Sequence, residues 1–277
     1  MAPLPPEHPV PTSEGAALRA ALRGSFSEIV GFLIPRVDAP ARLEAELLAA
    51  LAEDEALAAG VGKALLALPA AARQRILPVM ARDPRPSVRR ALFHEWAPEV
   101  LEVPRPLSAL LPVAEWRELL KAALGDDDGG VRVAAAALAF DSGHASALAA
   151  ELMRVLDADT APDRELAWRA VLGLGQASDE ASLERLRAIA ASDDGALAAA
   201  AVRALAARSD GRATWRAAFS DARAEVRGAA LFALARVVER LEPEQLADVE
   251  QAALAHEPPH VVAQALQAYR QRHVDAP

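Results

Sequence analysis

The side chains with the most chemical potential in this sequence are two His-Glu steps, two clusters of arginines and a scatter of large aromatic residues. His94-Glu95 and His256-Glu257 set an imidazole beside a carboxylate, donor types that hold divalent metals. A metal centre between helices needs several such ligands from facing elements, and the chain does not supply a set, so His94 reads as a surface or half-buried polar residue. Arg73, Arg75, Arg82, Arg85, Arg89 and Arg90 gather in one stretch, and Arg203, Arg208, Arg212, Arg216, Arg223 and Arg227 in another. Guanidinium clusters of this kind meet phosphates or carboxylates. The chain carries 30 Lys+Arg against 39 Asp+Glu, a net charge of −9 that repels a polyanion. Both clusters therefore read as solvated faces and links between helical units, and nucleic acid is not the expected partner. No Gly-rich phosphate loop or Ser-His-Asp arrangement stands out. The absence of cysteine excludes thiolate nucleophiles, disulfides and Cys-ligated metal sites. The expectation is a protein that is not an enzyme, with no catalytic residue, no metal and no cofactor.

These side chains must be positioned by helices. Hydrophobic residues make up 53% of the chain but aromatics only 4%, so the apolar content is mainly Ala, Leu and Val. Ala and Leu are strong helix formers, and small side chains let helices approach closely. Runs rich in β-branched and aromatic residues are almost missing, which leaves strands little support. Only Lys63 and Lys121 are lysines; with the high Ala content, that bias reads as G+C pressure on a bacterial gene. The first residues lack the basic and apolar regions of a secretory signal. The run Ile29–Ile34 is too short to span a bilayer, so a cytoplasmic protein without membrane attachment is expected.

Along the chain, residues 1–15 carry Pro3, Pro5, Pro6, Pro9 and Pro11 and read as a Pro-rich tail. Residues 16–38 read as an N-terminal helical cap, with helices over Glu14–Arg23 and Phe26–Val37. From residue 39 to 273 helices alternate in pairs, beginning with Pro40–Glu53 and Glu55–Leu68 and ending with Pro243–Ala255 and Pro259–Arg272. Asp, Gly or Pro stands at each break, the residues that cap, turn or end a helix. A Pro-rich insertion at 98–112 interrupts the series, and 274–277 form a tail.

Superposing the second helix of each pair exposes a repeat. With Val226 at position 1, its equivalents are Leu57, Val88, Val131, Leu166, Leu197 and Val261, at spacings from 29 to 43 residues. Positions 1, 5, 8 and 9 share one helix face and alternate small and large apolar groups. Three windows also place Asp five residues before position 1 and Arg one after it: Asp83 and Arg89, Asp126 and Arg132, Asp221 and Arg227.

In DPRPSVRRAL (83–92), DDDGGVRVAA (126–135) and SDARAEVRGAA (220–230) the chain resembles the HEAT-repeat family, in particular bacterial repeats of the phycobilisome-lyase type. The resemblance covers about residues 40–272 and implies an all-α fold: a right-handed α-solenoid of about seven HEAT-like helical hairpins behind the cap. It also implies that the three Asp/Arg pairs link neighbouring repeats in a ladder of charge-assisted hydrogen bonds. Some relatives are enzymes. Deoxyhypusine hydroxylase binds two irons through paired His-Glu steps, but Arg90-Ala91 and Ala263-Gln264 stand where that motif would lie here. Alkylpurine DNA glycosylases use a basic concave surface, and bilin lyases a chromophore pocket that no motif identifies in this chain.

What remains is the outward row of the second helices. Positions 3, 7 and 10 include Phe140, Trp168, Leu172, Arg203 and Phe232. Two readings stand. These residues pack between repeats, as large apolar side chains usually do, or they line an apolar groove, with Arg203 within it, that recognises a protein segment. The functional expectation is a scaffold or adaptor presenting a concave helical surface to a protein partner. A nucleic-acid-associated, glycosylase-like protein with a local Arg-rich face is second. A bilin-lyase-like or metal-dependent HEAT enzyme is third.

Overall fold

Aspartate carboxylates open several of the helices. Asp128 accepts the backbone N–H of Val131 at 2.9 Å, Asp179 that of Ser182 at 2.8 Å, and Asp194 those of Ala196 and Leu197 at 3.0 and 3.1 Å. Each satisfies donors that a first helical turn leaves without an intrahelical partner. Among the described residues four other helices begin on a proline, whose missing N–H costs nothing there.

The computed structural model describes residues 13–23, 40–65, 68, 70–94, 113–157, 164–237 and 243–273. Among these the fold is all-α, with no strand. The helices are α1 (Ser13–Arg23), α2 (Pro40–Glu53), α3 (Ala58–Leu65), α4 (Ala70–Ala81), α5 (Pro86–His94), α6 (Val113–Leu124), α7 (Gly129–Asp141) and α8 (Ala149–Asp157). There follow α9 (Arg164–Leu174), α10 (Glu180–Ala190), α11 (Gly195–Ala206), α12 (Arg212–Ala217), α13 (Ala224–Val237), α14 (Pro243–His256) and α15 (Pro259–His273). Among the described residues, no helix is long and apolar enough to cross a membrane.

The ends differ from the sequence expectation in two ways. First, α1 begins at Ser13, inside the stretch expected to be a tail, because Ser13 after Pro11 is an ordinary helix start. Second, a 3₁₀ turn over Glu55–Leu57 replaces the start of the expected helix Glu55–Leu68, and further 3₁₀ turns lie at Ala145–Leu148 and Ala218–Ser220. At the first of them, the Asp54 carboxylate accepts the N–H of Ala56 only two residues on, which favours the tighter winding. Residues 1–12, the expected cap helix Phe26–Val37, the insertion 98–112 and residues 274–277 lie outside the described residues.

The chain divides into two compact units, Met1–Leu119 and Leu120–Pro277, and α6 runs across the division. In the first unit α1 packs on α3, α3 on α5, α2 on α4 and α4 on α5. In the second, the second helices of successive hairpins neighbour one another in chain order, α7 to α9, α9 to α11, α11 to α13 and α13 to α15. Their shared face is the 1-5-8-9 face. Val131, Ala135, Leu138 and Ala139 of α7 are buried, as are Leu166, Ala170, Gly173 and Leu174 of α9. So are Ala201, Ala204 and Leu205 of α11 and Val226, Ala230, Ala233 and Leu234 of α13. Small residues set the spacing: a Cβ on Gly175 would stand 2.8 Å from the Cβ of Ala204.

Candidate functional site

With positions 1, 5, 8 and 9 turned inward, position 7 is left facing away from the core on each second helix. In chain order the second unit presents Ala137, Leu172, Arg203 and Phe232 there. Ala137, Leu172 and Arg203 are half-buried, and Phe232 is 51% exposed, one of the largest apolar surfaces among the described residues. The Arg203 guanidinium carbon lies 4.8 Å from the centre of the Phe232 ring. That stacking joins α11 to α13 across the most extensive helix contact in the unit. Trp168, one turn before Leu172 on α9, is half-buried, and the neighbouring Arg169 lies 5.2 Å from the centre of its ring. Arg169 also reaches Glu165 at 3.6 Å.

The five sequence candidates do not form one tight cluster. Arg203 and Phe232 touch, Trp168 and Leu172 sit on the next helix, and Phe140 is half-buried near the end of α7. The backbone carbonyl of Phe140 accepts the side-chain amide of Gln176 at 2.7 Å. His256 is exposed at the end of α14. Among the described residues no three His, Asp or Glu side chains converge as metal ligands.

The Asp/Arg ladder takes a form the sequence did not indicate. Arg89, Arg132 and Arg227 meet the loop that precedes them through its backbone. Each turns Nη1 onto the backbone carbonyls of its own turn: Asp83 and Pro84, Asp126 and Asp127, Asp221 and Ala222, at 2.7–3.1 Å. The geometry explains this, since six residues of turn and first helical turn bring the guanidinium back beneath the loop that precedes it. Arg227 also reaches the next hairpin, through Glu257 at 2.6 Å.

In two of these windows the arginine two residues after the aspartate also connects hairpins. Asp83 holds Arg85 by two parallel bonds at 2.8 Å, and Arg85 extends Nη2 to the carbonyl of Leu51 at 2.8 Å, near the end of α2. Asp221 holds Arg223 in the same way, and Arg223 reaches the carbonyls of Ser192 and Ala190, the latter at 2.9 Å, at the end of α10. A cation is placed on carbonyls that a helix end leaves unpaired. The legible signal was Asp-x-Arg, present in DPR and DAR and missing from DDD.

Arg208 performs a similar task with the order reversed. It is 7% exposed, grips Asp210 at 2.8 and 2.7 Å, and donates to the carbonyls of Ala177 and Asp179. Arg208→Met is expected to leave those carbonyls without their partner and to lower stability by about 2–3 kcal/mol, read from urea unfolding. A loss under about 1 kcal/mol would show that water replaces the guanidinium freely.

These pairs also set an acid response. Hydrogen bonds from Arg85 hold the Asp83 carboxyl below its usual 3.8, and hydrogen bonds from Arg223 do the same for Asp221. Arg208 lowers Asp210 likewise. For Asp179 burial pushes upward, and the Ser182 N–H and hydroxyl outweigh it. A depressed folded value means stability that is complete above the ordinary carboxylate range and lost as pH falls through the lower folded value. The urea midpoint should therefore drop between about pH 5 and pH 3. An Asp83→Asn, Asp221→Asn double variant should start lower and change less over the same window; an equal drop in parent and variant would assign the response to other carboxylates.

The sequence matches no protein-family model and no curated protein.

Proposed function

We propose that the hairpins of each unit are HEAT-like repeats wound as a right-handed α-solenoid, and that the chain is a non-catalytic protein-binding scaffold or adaptor of a bacterial cytoplasm. The observation that carries this reading is the outward row on consecutive second helices, Leu172, Arg203 and Phe232, with the Phe232 ring half in solvent beneath a guanidinium. A large apolar ring beside a fixed cation suits the anchor of a protein interface, where aromatic and arginine side chains concentrate the binding energy. The nucleic-acid alternative draws little support from the arginine clusters. Arg73, Arg75, Arg85, Arg89, Arg208, Arg223 and Arg227 are engaged by carbonyls or carboxylates of the chain itself.

The test is affinity capture with parent, Trp168→Ala and Phe232→Ala proteins as bait, after circular dichroism has shown equal helicity. Both variants are expected to lose partners that the parent retains. If they keep the same set, the row is not the binding face. Salt-dependent binding of duplex DNA would move the reading to the second alternative. Stoichiometric iron, zinc or a bilin on the purified protein would move it to the third.

A further inference from the structure

We propose that the row Leu172–Arg203–Phe232 binds the N-terminal segment Leu4–Val10 of a second copy of this chain. The proposal rests on the protein-binding reading above and supplies its occupant.

The spacing comes first. The three side chains stand on α9, α11 and α13, which pack side by side in that order. Helices so packed lie about 8–10 Å apart. A polyproline II segment turns once every three residues and rises about 3.1 Å per residue, so every third side chain returns to one face after about 9.3 Å. Such a segment laid across the helices puts successive side chains of that face on successive helices.

Charge selects the sequence. Arg203 makes no hydrogen bond or ion pair with the described residues, and its Nε is buried without an acceptor. The neighbouring arginines are matched, Arg169 by Glu165 and Arg227 by Glu257. Stacking at 4.8 Å holds the Arg203 guanidinium against the Phe232 ring, and Leu172 occupies the equivalent position on the neighbouring helix α9. The complement is an acidic residue with an apolar residue three positions before it and another three positions after.

The chain itself contains that pattern. Residues 4–10 read LPPEHPV, with Leu4, Glu7 and Val10 three apart and Pro5, Pro6 and Pro9 between them. The prolines favour polyproline II and reduce the entropy lost on binding. Glu7 pairs with Arg203, while Leu4 and Val10 cover Leu172 and Phe232.

The experiment is sedimentation of the full chain over a wide concentration range, with a charge swap. The parent is expected to self-associate, and Arg203→Glu and Glu7→Arg are each expected to weaken association about tenfold or more, the loss of one charge-assisted contact. The Arg203→Glu, Glu7→Arg double variant is expected to return to within a few-fold of the parent. As a direct probe, a fluorescent peptide of residues 1–12 is expected to bind the full-length Glu7→Arg chain and to lose that binding when Arg203→Glu is added. Failure of the double swap to restore association overturns the proposal. So does a parent that stays monomeric while the peptide binds, since the site would then take some other occupant. Failure here alongside partner loss in Phe232→Ala would sink only this proposal; Phe232→Ala retaining every partner would sink the broader reading.

Discussion

Trp215→Ala is expected to lower the unfolding free energy by about 3–5 kcal/mol, the range for removing a fully enclosed aromatic ring. Trp215 is 1% exposed and sits in α12, a helix of six residues. So short a helix does not hold itself in water, because the cost of nucleation is spread over too few hydrogen bonds. The ring does that work. Its Nε1–H donates to the carbonyl of Ala230 on α13 at 3.1 Å, and its edge meets Phe219 at 5.5 Å between ring centres and 64° between planes. Removing it takes away the apolar wedge, the aromatic pair and the tie to the next helix together. Trp215→Phe separates these contributions: it keeps most of the volume, loses the donor, and should cost about 1 kcal/mol from the hydrogen bond plus a smaller cavity penalty. Urea unfolding followed by circular dichroism reads both. A loss below about 1.5 kcal/mol for the alanine variant would mean that α12 is held by something else.

Gly60→Ala is the second large effect, and its sign is opposite to propensity. Gly60 lies inside α3, where alanine is favoured over glycine by about 1 kcal/mol. At an open site the substitution would stabilise. Here the new Cβ would stand 2.4 Å from the carbonyl oxygen of Leu22 and 2.8 and 2.9 Å from its Cα and carbonyl carbon. All three are backbone atoms of α1, so no rotamer change relieves the contact. The helices must separate, and the expected net loss is about 3 kcal/mol, the upper part of the overpacking range. The damage should be local. Leu18 and Leu22, at 1% and 0% exposure, lose their cover, and Arg19 is drawn away from Glu46 and Glu53. Limited proteolysis should cut within α1 before the rest of the chain, and amide exchange should quicken there first. A variant as stable as the parent would show that α1 does not approach α3 this closely.

Helix positions were open to reading because punctuation marks them. Pro40–Glu53 coincides with its expected bounds, opened by a proline and followed by Asp54, and the last two helices start at their expected Pro243 and Pro259. The buried face was open too, since a 1-5-8-9 pattern of small and large apolar residues has one sensible orientation. The atoms an arginine meets were not. Arg89 and Arg85 are four residues apart, and only the turn conformation decides that the first binds its own loop and the second the carbonyl of Leu51. Exposure of the outer row was also hidden. Nothing in the residue types distinguishes the buried Leu231 at 6% from its neighbour Phe232 at 51%; which one the next helix covers depends on packing.

The direction of the arginine-to-carbonyl links has a consequence for synthesis. Arg85, Arg185, Arg208 and Arg223 each donate to carbonyls roughly one hairpin earlier in the chain, at Leu51, Leu156, Ala177 and Ala190. On the ribosome the acceptor is therefore made first and the clasp arrives with the following hairpin. A newly emerged pair of helices waits for its successor to close its rear edge, so these four clasps lock in the order in which the polypeptide is translated.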